Sequence, residues 1–139
     1  MTTKNDFEEL NILIAEDHPR ALQLLRTILR DLGVHQVFTA KDGREAQSFL
    51  DQADDLIDLI ICDWNMPRMT GLELLQQVRT VYPDMPFLMV TGRGDAESVR
   101  AAASYGVNGY IRKPYSTNEL ASKLTAMAKL IKARKTPKK

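Results

Sequence analysis

The chain has 139 residues, 44% hydrophobic and 27% charged, with a net charge of +1; this length predicts one domain with a single core, and this balance excludes a disordered chain. One cysteine and two histidines exclude an intramolecular disulfide and a Cys/His zinc cluster. No apolar run approaches the roughly 20 residues of a membrane span, and the first residues lack the apolar segment of a secretory signal, so a soluble cytoplasmic protein that does not enter the membrane is expected.

Residues 1–10 read as an N-terminal extension. Strand-sized runs rich in Ile, Leu and Val then alternate with segments of helical periodicity. The first run is Asn11 to Ala15, followed by a helix over Pro19 to Leu32, with Pro near its start and Gly33 just past its end. The second run, Gln36 to Ala40, precedes a helix over about 42–53 that opens on the capping-box pattern Asp42-x-x-Glu45. Asp58 to Cys62 is the third run, with a helix over about 70–80 opening on Thr70-x-x-Glu73. Pro86 to Val90 is the fourth, followed by a helix over about 95–105 with Asp95 as N-cap and Gly106 as its stop. Gly109 to Arg112 is the last, and Ser116-x-x-Glu119 opens a helix over about 116–134. Residues 129–139 hold six basic side chains and no acidic one, and 134–139 read as a basic tail on an otherwise acidic body. No basic stripe interleaved with aromatics supports nucleic-acid binding.

Five β/α units in this length predict an α/β fold: a doubly wound, five-stranded parallel sheet of flavodoxin-like order 2-1-3-4-5, with helices on both faces. Ligands of such sheets bind outside the carboxyl ends of the strands, where the strand order reverses. Glu16 and Asp17 follow the first run there, Asp63 the third, Thr91 the fourth and Lys113 the fifth. Glu16, Asp17 and Asp63 are expected to converge within a few ångströms, and an all-oxygen cluster suits a hard cation, Mg²⁺ with Mn²⁺ as a substitute. Lys113 adds a positive point charge and Thr91 a hydroxyl donor, which together suit a phosphoryl group. The acidic loop after the first run repels a cofactor phosphate, so a covalent acyl phosphate on Asp63 fits better.

Each residue has a plainer reading. Asp17 alone would be a helix cap, Lys113-Pro114 a turn, Met66, Met69, Met85 and Met89 packing residues, and His18 and His35 incidental. The coincidence of acid pair, acceptor, hydroxyl and lysine on four strand ends favours the functional reading of the set.

These residues resemble a known family. Asp63-Trp64-Asn65-Met66-Pro67-Arg68-Met69-Thr70-Gly71, with Val90-Thr91-Gly92 and Gly109-Tyr110-Ile111-Arg112-Lys113-Pro114, is similar to the signatures of the receiver domain of two-component response regulators, including its single-domain chemotaxis members. The match covers about residues 11–133. The resemblance implies that Asp63 accepts a phosphoryl group from a sensor histidine kinase or a histidine phosphotransfer protein, or from a small phosphodonor. It implies Mg²⁺ bound by Glu16, Asp17, Asp63 and the backbone carbonyl of Asn65, and Thr91 and Lys113 holding the phosphoryl oxygens. A cis Lys113–Pro114 bond and a switch through Thr91 and Tyr110 are also implied. The switch would reshape the face of the fourth helix, fifth strand and fifth helix for a downstream protein. The chain would be a monomer or a weak phosphorylation-dependent dimer, and a phosphoacceptor rather than an enzyme acting on separate substrates. Glu16 stands where an Asp is commoner, and Arg93 brings a cation to the site entrance. A phosphorelay shuttle and a phosphorylation-independent adaptor are the competing readings.

Overall fold

The computed structural model describes residues 7–135; residues 1–6 and 136–139, which hold most of the expected extension and tail, lie outside the described residues. Its elements in chain order are β1 (Asn11–Ala15), α1 (Pro19–Leu32), β2 (Gln36–Ala40), α2 (Gly43–Ala53), a 3-10 turn at Asp54–Leu56, β3 (Leu59–Cys62), α3 (Gly71–Val81), β4 (Phe87–Thr91), α4 (Ala96–Ser104), β5 (Gly109–Arg112) and α5 (Thr117–Lys135). All neighbouring strands are parallel, in the order β2-β1-β3-β4-β5. The expected fold class is therefore the observed one. Among the described residues no helix is long and apolar enough to cross a membrane.

The strands read as near-continuous apolar runs because both faces of the sheet are covered. Ile12, Ile14, Ile61 and Val90 pack against α1 and α5 residues such as Leu25, Leu29, Leu120 and Leu124. On the other face Leu13, Ile60, Phe87 and Met89 pack against Leu50, Leu74 and Ala102. The one-residue alternation of the pleat thus sorts each strand's side chains between two half-cores.

Two strand starts differ from the expected ones. Asp58 precedes β3 because its carboxylate accepts the Asn11 N–H at 2.9 Å and closes the start of β1. Pro86 lacks an N–H, and β4 runs one residue later to include Thr91, which pairs with Arg112. Helix α1 has the expected bounds, and the other helices begin one residue after the expected starts, Asp42, Thr70 and Asp95 being N-caps outside α2, α3 and α4. Thr70 and Glu73 form a complete capping box. Glu45 instead reaches past Asp42 to the Lys41 N–H, at 3.2 Å. His18, expected to be incidental, caps α1 by accepting the Ala21 N–H at 3.5 Å. Gly33 and Gly106, at φ 105° and 78°, end α1 and α4 in the left-handed region that favours glycine.

Candidate functional site

The carboxyl ends of β1, β3, β4 and β5 meet at the point where the chain's winding reverses. The Asp63 N–H donates to the Ala15 carbonyl at 3.0 Å, fixing Asp63 beside the end of β1, and the Lys113 N–H donates to the Thr91 carbonyl at 2.8 Å. Lys113 Nζ lies 2.9 Å from Glu16 Oε1 and 3.0 Å from Asp63 Oδ2, spanning the two carboxylates. The Lys113–Pro114 bond is cis.

Glu16 is 2% exposed. Burial raises its pKa from the ordinary glutamate value and the Asp63 charge adds to this, against the hydrogen bond from Lys113. The other Glu16 oxygen accepts the His18 N–H at 3.2 Å. For Lys113 burial works against the charged form, but the hydrogen bonds to Glu16 and Asp63 prevail and raise its pKa. Asp63 Oδ1 accepts the N–H groups of Trp64, at 2.6 Å, and Asn65, at 3.3 Å. One acceptor oxygen is thus held by backbone and the other faces the ammonium.

The expected trio of carboxylates is a pair. Asp17 is exposed, and among the described residues no three His, Cys, Asp or Glu side chains come together as a group that could hold a metal by themselves. The physical reason is charge pairing: Lys113 draws Glu16 and Asp63 around its ammonium, whereas Asp17, one residue further, faces solvent. The donor set still fits a hard cation, because Mg²⁺ uses one or two carboxylates and fills its other positions with water, carbonyl or phosphate oxygens. Glu16 and Asp63 are those carboxylates, and the Asn65 carbonyl oxygen accepts no hydrogen bond from the described residues.

Thr91 is fully buried at the end of β4, and its Oγ1 accepts the Arg93 N–H at 3.3 Å. Tyr110 is half-buried, with its hydroxyl donating to the Arg93 carbonyl. Burial, with the charge of Asp95 adding, raises its pKa. The Arg93 guanidinium lies 5.1 Å from the centroid of the Trp64 ring and donates from Nε to Asn65 Oδ1 at 3.1 Å. The sequence placed a cation at the entrance; its two resting partners are legible only in three dimensions.

Two close approaches support the acceptor loop. A Cβ at Gly71 would collide with the Asp63 carbonyl oxygen, so only glycine lets α3 start this close to the end of β3, where the Gly71 N–H donates to the Trp64 carbonyl at 2.8 Å. Arg68 Nε lies 2.8 Å from Asp42 Oδ2, tying the loop to the start of α2. In the sequence the capping pattern marks Asp42, and nothing marks its arginine partner.

A parallel 2-1-3-4-5 sheet with a strand-end aspartate beside a lysine, a buried acid, a strand-end threonine and a cis Lys-Pro at one edge defines the receiver class. Residues 12–125 match the family model of the response regulator receiver domain, and the chain belongs to that family. It is 37% identical to the chemotaxis protein CheY-3 of Vibrio cholerae over 119 residues, which are 84% of this chain and 90% of that protein. It is 38% identical to the CheY homolog of Campylobacter jejuni over 117 residues, 83% of this chain and 89% of that one. The crystal structure of Vibrio cholerae CheY4 superposes with a TM-score of 0.77 at 33% identity, covering 85% of this chain and 98% of that one. The chain is thus the receiver domain of a CheY-like response regulator.

Proposed function

We propose that the receiver unit, residues 11–133, accepts a phosphoryl group on Asp63 and signals by binding another protein in its phosphorylated form. The donor is the phosphohistidine of a sensor kinase or histidine phosphotransfer protein, or a small acyl phosphate. A carboxylate oxygen of Asp63 attacks phosphorus, and the P–N bond to the donor imidazole breaks with its electron pair leaving on the ring. Lys113 and the Thr91 hydroxyl then hold the phosphoryl oxygens. Glu16, Asp63 and the Asn65 carbonyl would hold a Mg²⁺ ion, with Asp17, exposed beside Glu16, turning in to join them once the ion is present; the ion would supply charge neutralisation at the phosphoryl group. Movement of Thr91 toward the new anion reaches Tyr110 through Arg93 and reshapes the α4–β5–α5 face, where the downstream protein docks. The chain acts on no separate substrate, and the setting we infer is the cytoplasm.

The observation that carries this reading is the Lys113 ammonium between Asp63 and Glu16, which places a phosphate-binding cation on the acceptor and a buried acid beside it. The test follows Trp64, 8% exposed and adjacent to the acceptor, through a Mg²⁺ titration and then addition of acetyl phosphate, with intact mass alongside. A magnesium-dependent fluorescence change and a gain of one phosphoryl mass, both lost in Asp63→Asn, are expected. No response to either addition would leave a receiver fold without receiver chemistry.

A further inference from the structure

The acceptor loop between β3 and α3 contains a residue that its own backbone disfavours. Arg68 has φ 67°, where a side chain is strained and a glycine would be at ease. It sits at the centre of a three-residue turn in which the Met69 N–H donates to the Pro67 carbonyl at 2.7 Å. A non-glycine residue persists in such a conformation when its surroundings over-determine it. The surroundings here are Asp42 and Gly43. Asp42 is 3% exposed, and its carboxylate already accepts the Glu45 N–H at 2.8 Å, yet the Arg68 guanidinium reaches in to Oδ2 at the same distance. At Gly43 a Cβ would stand 2.7 Å from both the Cβ and the carbonyl oxygen of Met69, so α2 starts in direct contact with the loop. The segment from Asp63 to Thr70 is thus fastened at its far end by a charge-assisted contact to a buried carboxylate. In its middle the Asn65 carbonyl oxygen accepts no hydrogen bond from the described residues.

We infer that Arg68 is a positioning residue: through its ion pair with Asp42 it holds the loop in the conformation that presents the Asn65 carbonyl to the cation beside Asp63. The inference rests on the phosphoacceptor reading of this site. Arg68 touches no reacting group, and its effect reaches the site only through the backbone of the loop. Supports of this kind set where a ligand oxygen stands, and their loss weakens metal binding while leaving the ligands in place.

The test is a calorimetric Mg²⁺ titration of the full chain, with the rate of phosphorylation by acetyl phosphate measured at saturating Mg²⁺. Arg68→Met is expected to weaken Mg²⁺ binding roughly tenfold, while the rate at saturation stays within about twofold, a split that a general loss of stability would not produce. Asp42→Asn keeps an N-cap oxygen on α2 and is expected to weaken Mg²⁺ binding to a similar degree, with the double variant no worse than either single one. Arg68→Gly separates strain from clamping, because it relieves the backbone and keeps the fold stable, yet is expected to lose Mg²⁺ affinity like Arg68→Met. Arg68→Lys, which can still reach Asp42, should recover most of the affinity. Mg²⁺ affinity in Arg68→Met within twofold of wild type would overturn the inference, as would fully additive effects of the two single variants. A wild-type chain that gains no phosphoryl mass would instead overturn the phosphoacceptor reading itself.

Discussion

Lys113 Nζ stands 3.0 Å from Asp63 Oδ2, although 50 residues separate the two in sequence. Their meeting follows from strand order, since β3 and β5 flank β4 and all three deliver their carboxyl ends to one edge. The same ammonium lies 2.9 Å from Glu16, so one cation after β5 serves two carboxylates that follow β1 and β3. On the proposed function the Asp63 carboxylate would repel the incoming phosphoryl anion, and Lys113 would offset that repulsion.

Removal of this cation should destabilise the fold. Lys113→Met leaves a 2% exposed Glu16 facing Asp63 with no counter-charge. Breaking a buried pair costs roughly 3–5 kcal/mol, and the partial exposure of Lys113 reduces the expected loss to about 2–3 kcal/mol. Millimolar Mg²⁺ should restore part of it, because a second cation can take over between the carboxylates. Asp63→Asn, which ends the carboxylate repulsion but leaves Glu16 for Lys113, is expected to raise the melting temperature of the metal-free protein. Calorimetric melting of the three chains with and without Mg²⁺ checks all three signs.

Gly71 offers a steric test. A Cβ there would overlap the Asp63 carbonyl oxygen, so Gly71→Ala must push α3 away from the loop after β3. Overpacking of this kind costs about 1–3 kcal/mol. Gly92, directly after β4, has open space where a Cβ would stand, and Gly92→Ala is expected to be neutral or slightly stabilising by up to about 1 kcal/mol. Urea midpoints of the two variants should move apart; equal midpoints would mean that the loop yields.

The sheet was legible because a parallel sheet covered on both faces leaves an unbroken apolar run for each strand, and β1, β2 and β5 have the expected bounds. The helix starts were legible to within one residue, because caps are written in side-chain types. Strand order then brings Glu16, Asp63, Thr91 and Lys113 to one edge. What period and spacing do not encode is the direction of a side chain just past a strand. Asp17 is exposed while Glu16 faces in, where Lys113 and the His18 N–H hold its two oxygens. The Asp42–Arg68 pair was hidden for a different reason: a positive φ at a non-glycine residue leaves no trace in the sequence, and the partners lie 26 positions apart.

The lone cysteine reports on the core around the acceptor. Cys62 directly precedes Asp63 and is fully buried, and burial, with the charges of Asp63 and Glu16 adding to it, pushes its thiol pKa well up. The nucleophilic form is the thiolate, so Cys62 should be inert to a maleimide in the native protein and react only through global opening. Labelling at pH 8 should accelerate by orders of magnitude in denaturing urea. Fast labelling without denaturant would show that the end of β3 opens locally.

The acid limb of stability should carry the signature of Asp42. The Glu45 N–H, with the Arg68 guanidinium adding to it, holds this carboxyl below its ordinary value of 3.8, in spite of its burial. A group whose native pKa is depressed gives its full stabilisation above the ordinary value, where both the native and the unfolded carboxyl are charged. That stabilisation is lost as the pH falls through the depressed native value. Asp42→Asn keeps an acceptor for the cap but carries no charge, so near neutral pH it should be less stable than wild type by about 1 kcal/mol, much of the Arg68 side chain being exposed. The gap should close as the pH falls below about 4, where protonation removes the charge from wild type as well. Urea midpoints from pH 6 to pH 3 for the two chains check this, and a gap that stayed constant across the range would assign the loss to packing around the amide instead of to charge.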